Sequence, residues 1–95
     1  MFIILLKFSD NKENAGQFMD GHNAWVKNGF DEKVFLIVGS IQLNKGGGVI
    51  AHNTTFSELQ DRVNKDPFVA ENVVTAEIIE ISPAVADERL QFLCE

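Results

Sequence analysis

Apolar residues occupy both sides of the first strand-like run. Over residues 2–8, Phe2, Ile4, Leu6 and Phe8 fall on one side of a period-two pattern, and Ile3 and Leu5 fall on the other. Such a run reads as a strand covered on both faces. The polar triplet Ser9-Asp10-Asn11 closes it as a turn. From residue 12 to 28 the period lengthens: Ala15, Phe18, His22, Trp25 and Val26 follow helical spacing, with Gly29 as the expected C-terminal stop.

A second strand is expected over residues 33–40, apolar on one face through Val34, Leu36 and Val38 and on the other through Phe35 and Ile37. Asn44-Lys45-Gly46 supplies hairpin turn chemistry, and a third strand follows at 47–51. Thr55-Phe56-Ser57-Glu58 has the form of a capping box, and Phe56, Leu59 and Val63 make the stripe of a short helix. Pro67 ends that helix by Lys65, because a residue before proline avoids the helical region. Residues 73–81 alternate as a fourth strand closed by Pro83, and Val85, Leu90 and Leu93 suggest a short terminal helix within 84–93.

The order is β-α-β-β-α-β over one domain, residues 1–95. This is the α+β, ferredoxin-like split β-α-β arrangement, a four-stranded antiparallel sheet with two helices on one face. Two helices cover one face only, yet the first two strands are apolar on both. At about 25 cal/mol per Å² of apolar surface, hiding the second face is a substantial drive for association. A homodimer with the two sheets facing each other is the expected solution; a C-terminal segment folded over that face is the alternative.

Composition adds mainly exclusions. The 45% apolar and 23% charged fractions are those of a folded globular chain. Fourteen acidic against eight basic residues give a formal charge of −6, which disfavours nucleic acid and anionic membrane as partners. The apolar opening is cut short by Lys7 and Asp10 and has no basic region before it, so it reads as a strand rather than a signal peptide. No stretch approaches the roughly 20 apolar residues of a membrane span. Cys94 is the only cysteine, so neither an internal disulfide nor a cysteine-based zinc site is expected, and a cytoplasmic location fits.

Candidate chemistry centres on His22. Its neighbours Phe18 and Trp25 on the same helical face turn the imidazole toward the sheet, where a lone histidine is usually a packed side chain satisfied by a carbonyl. A carboxylate partner changes that, since it fixes the tautomer of a ring able to exchange protons near neutral pH. Asp66, held before Pro67, is the best candidate, although Asp-Pro is also a common loop dipeptide. Asp20 lies off the His22 face, and Asp31 reads as a solvated charge.

Gly39 and Ser40 end the second strand, where the hydroxyl either lines a pocket edge or starts a turn. Gly46-Gly47-Gly48 is followed by a strand and lacks a Gly-Lys-Ser/Thr ending, so it reads as hairpin flexibility rather than a phosphate cradle. His52 stands alone, and no metal-ligand spacing is present.

Over essentially its full length the chain resembles the YciI-like (YCII-related) family. The matching stretches are Met1-Phe2-Ile3-Ile4-Leu5-Leu6, Gly21-His22-Asn23-Ala24-Trp25, Val34-Phe35-Leu36 with Gly39, Gly47-Gly48-Val49-Ile50, Asp66-Pro67-Phe68-Val69, and Glu77-Ile78-Ile79-Glu80-Ile81. The resemblance implies a dimeric α/β-barrel similar to muconolactone isomerase, a pocket near His22 and Asp66 as an acid/base pair, and Ser40 close to that pocket. Relatives often carry Gly-Pro where this chain has Gly39-Ser40. Some relatives resemble dehydrochlorinases of chlorinated hydroxyquinols.

Two function classes follow. As an enzyme, the chain moves a proton on a small cyclic or aromatic substrate, in isomerase, lyase or dehydrochlorinase-like chemistry, with no metal or organic cofactor. As a dimeric binding domain, it holds a small anion or aromatic ligand without turnover. A structural dimer with a satisfied core histidine is the plainest alternative.

Overall fold

The computed structural model describes residues 1–94. Four strands, β1 (Phe2–Phe8), β2 (Phe35–Ile41), β3 (Gly46–Ala51) and β4 (Val74–Glu80), form one sheet in the order β2-β3-β1-β4, every neighbouring pair antiparallel. Helix α1 (Ala15–Asp31) joins β1 to β2, while α2 (Phe56–Asn64) and the single-turn α3 (Pro67–Ala70) join β3 to β4. This is the ferredoxin-like α+β architecture expected from the order of elements. Among the described residues no helix is long and apolar enough to cross a membrane.

Alternation decides which face the helices cover. Phe2, Ile4 and Leu6 of β1, with Val49 and Ala51 of β3, are buried against Trp25, Leu59, Val63 and Phe68 from the helices. The odd-numbered β1 residues Ile3 and Leu5 face the other way and are half-buried. The strand register places Ile37, Ile50, Ile3 and Ile79 in a single row across that open face, with Ile37 58% and Ile79 38% exposed.

Two local expectations change between α1 and β2. The register of β2 shifts between Phe35 and Ile37, so Leu36 is an extra residue and the alternation reverses around it. Phe35 and Val38, expected on opposite faces, therefore both pack on the helical side, and Val34 is buried as well. Helix α1 does not stop at Gly29 but runs to Asp31. Lys33 takes φ 65°, its N–H bonds to Phe30 O (3.0 Å), and the Val34 N–H reaches Gly29 O (2.9 Å), which is a Schellman closure on a lysine. Gly29 is needed instead for packing, since a Cβ there would lie 2.1 Å from the Phe35 ring.

The capping box is present at α2: the Glu58 N–H donates to Thr55 Oγ1 (3.1 Å) and the Thr55 N–H to Glu58 Oε1 (3.2 Å). Helix α2 ends as Pro67 requires, but Pro67 then opens α3, which the sequence reading missed. The terminal segment Glu88–Cys94 is 3-10 and kinked at Leu90 rather than a continuous helix.

Candidate active site

Asp66 is the N-cap of α3. Its φ of −63° and ψ of 123° are extended, and its Oδ1 accepts the Phe68 N–H at 3.1 Å. Pro67 occupies the first helical position, where its missing N–H costs nothing. One short turn thus fixes the carboxylate and aims the Phe68 ring. Asp66 is the one charged side chain in the core of the described residues, at 0% exposure.

Helix α1 brings His22 to this turn. A Cβ on Gly21 would stand 3.0 Å from Pro67 Cγ, so the absence of a side chain there lets α1 approach α3 closely. His22 Nδ1 lies 2.8 Å from Asp66 Oδ1, across 44 positions of chain. When the carboxylate is ionised it only accepts hydrogen bonds, and Nδ1 is then the donor. The Phe68 ring stacks on the imidazole at 4.1 Å between centroids and 7° between planes, and Trp25 lies 5.8 Å away on the same ring. The Trp25 Nε1–H donates to Arg62 O at 2.8 Å, tying α1 to α2. Asp66 Oδ2 is buried without a hydrogen-bond partner among the described residues, leaving the His22 imidazole as the carboxylate's one side-chain partner there.

His22 keeps 16% of its side chain exposed and borders an open cavity of about 280 Å³ between α1 and the β2-β3-β1 end of the sheet. Leu6, Phe8, Val38 and Val49 supply apolar walls, while His22, Asn23 and Ser40 bring the polar atoms. Asp66 does not border the cavity; it stands behind the imidazole. With Nδ1 engaged, Nε2 is the nitrogen left for a molecule in the cavity. An apolar cavity of roughly 150 Å³ can hold benzene. The space here suits one substituted ring.

Gly39 and Ser40 border the same cavity, as do Met19, Asn23 and Gly47, which the sequence reading did not single out as site residues. Met19, His22 and Val26 follow helical spacing, a signal available in the sequence; Gly47 carries no such signal. His52 is apart from the site, packed edge-on against Phe92 at 5.4 Å. Asp31 pairs with Lys27 at 2.7 Å, and Asp20 is exposed. Among the described residues, no group of three or more His, Cys, Asp or Glu side chains is placed to hold a metal.

No protein-family model matches the chain, and no curated protein matches it in sequence. Among solved structures it is similar to 5-chloro-2-hydroxyhydroquinone dehydrochlorinase (TftG) from Burkholderia phenoliruptrix AC1100, in complex with 2,5-dihydroxybenzoquinone. The TM-score is 0.68 at 12% identity, covering 85% of this chain and 93% of that one. At that identity the likeness establishes the fold.

Proposed function

We propose that the chain is a cofactor-free acid/base enzyme of the YciI-like family, working as a homodimer on a small cyclic or aromatic substrate. The supporting observation is the buried Asp66 carboxylate bonded to a histidine that itself borders an open, mostly apolar cavity. In this reading His22 Nε2 accepts a proton from an acidic O–H or C–H of the bound ring, and Asp66 stabilises the imidazolium that forms. Returning the proton to another ring position completes an isomerisation. In an elimination, the leaving group departs with its bonding pair; loss of HCl from a chlorinated hydroxyquinol, the class of reaction named for the structural neighbour, is one such case. Ser40 and Asn23 supply hydrogen bonds to ring substituents. The homodimer is supported by the isoleucine row left open on the sheet.

The test is turnover of ring-hydroxylated aromatics, starting with 5-chloro-2-hydroxyhydroquinone and followed by absorbance. His22→Ala and Asp66→Asn are each expected to lower turnover by about 100-fold or more while fold and assembly survive. A His22→Ala variant as fast as wild type removes the catalytic role. Ring binding by wild type without turnover of any compound assigns the site to a non-catalytic ligand-binding domain.

A further inference from the structure

The three consecutive glycines of β3 are there for different reasons. Gly46 has φ 131°, and a Cβ on it would lie 1.9 Å from Leu6 O, so the backbone itself demands glycine. Gly48 pairs with Gly39 and Leu5 in the row next to the isoleucines, and its Cβ would meet only Ile41 Cγ1 at 3.9 Å. Gly47 has no positive φ, and its Cβ would meet only Gly39 O, at 3.4 Å, an ordinary contact. Neither conformation nor crowding requires glycine at this position. A glycine inside a strand nonetheless weakens it, through backbone entropy and a missing side chain to pack.

What its absent side chain leaves is space. Gly47 stands opposite Leu6 and Ser40, in a row facing the helices. One row along the same face, Ile4, Val49 and Val38 fill the layer under α1. At Gly47 the layer is empty, and the gap is the cavity that His22 borders. Among the described residues, no Lys, Arg, Asp or Glu borders it.

We propose that Gly47 determines ligand size at this site, its bare backbone forming the floor on which a single, flat, hydroxylated ring lies beneath His22. The inference rests on the cavity being the ligand site. Each carbon added at position 47 rises from the sheet toward α1 and takes the place of the ring. Gly47→Ala trims the site and Gly47→Val closes it, whereas Gly16→Ala, in the first turn of α1, adds its carbon in open space away from the cavity.

Two readouts test this. The first is the rate at which diethyl pyrocarbonate modifies His22, measured by mass spectrometry with His52 as internal reference. Gly47→Val is expected to slow modification of His22 by about tenfold or more and leave His52 unchanged, with Gly16→Ala like wild type. The second is binding of 2,5-dihydroxybenzoquinone and of catechol, expected to weaken by about tenfold or more in Gly47→Val and less in Gly47→Ala. Unchanged His22 modification in Gly47→Val overturns the inference, as does a melting temperature well below wild type, which makes the glycine structural. If wild type binds neither ring, the ligand-site reading fails, and the shielding of His22 still decides whether Gly47 shapes the cavity.

Discussion

His22 is held by contacts of different kinds, and each predicts a different loss. The Asp66 bond holds Nδ1 at 2.8 Å, while the Phe68 stack at 4.1 Å fixes the ring plane. Phe68→Leu keeps an apolar side chain over the imidazole but removes the flat contact, so if His22 has the proposed acid/base role, turnover is expected to fall by roughly tenfold, less than in Asp66→Asn. Steady-state kinetics of the two variants side by side give the comparison. Gly21→Ala brings a carbon to 3.0 Å from Pro67 Cγ and pushes α1 off α3. In the same proposed role, the expected result is lower turnover with little change in melting temperature, since a shift of a few tenths of an ångström matters more to a hydrogen bond than to the core. His22 and Asp66 were legible as candidates from residue type and position. The role of Asp66 as a helix cap was also written in Asp66-Pro67, which is N-cap and first-turn chemistry as much as loop chemistry.

At the scale of elements, the α1–β2 connection shows one residue serving where another was expected. Lys33 pays the steric cost of a left-handed conformation, and Gly29 is reserved for the Phe35 ring. Lys33→Gly is therefore expected to stabilise the fold by about 1 kcal/mol, raising the melting temperature by about 4–8 °C. Gly29→Ala should destabilise by at least about 1–3 kcal/mol, because its Cβ would sit 2.1 Å from an aromatic carbon. Thermal denaturation followed by circular dichroism measures both. The strand and helix order was readable here because long periodic runs outweigh local exceptions. The bulge at Leu36 was not: an extra residue is visible only when the partner strand is laid alongside it.

At the scale of the whole molecule, the sheet has one face under helices and one carrying the row Ile37–Ile50–Ile3–Ile79. If that row is the interface of the proposed homodimer, wild type has twice the 10.6 kDa mass of the chain in light scattering. Ile37→Lys, a charge placed at a residue 58% exposed in the single chain, is then expected to yield monomers without unfolding. A wild-type mass of 10.6 kDa at all concentrations rules out the dimer. The two-sided apolar pattern of β1 pointed to this surplus face from the sequence. Which isoleucines share a row came from register.

The sequence by itself determined the order of the four strands and of α1 and α2, and the closure of α2, because periodicity, capping boxes and proline act over a few neighbouring residues. It also marked His22 and Asp66 as candidates for chemistry. Only the tertiary structure decided that their side chains meet across 44 positions, and that a cavity opens beside them. The physical reason is that a hydrogen bond between distant elements depends on how closely two helices approach, here set by Gly21 and Pro67. A cavity, likewise, is a missing side chain whose emptiness exists only relative to the neighbours that surround it.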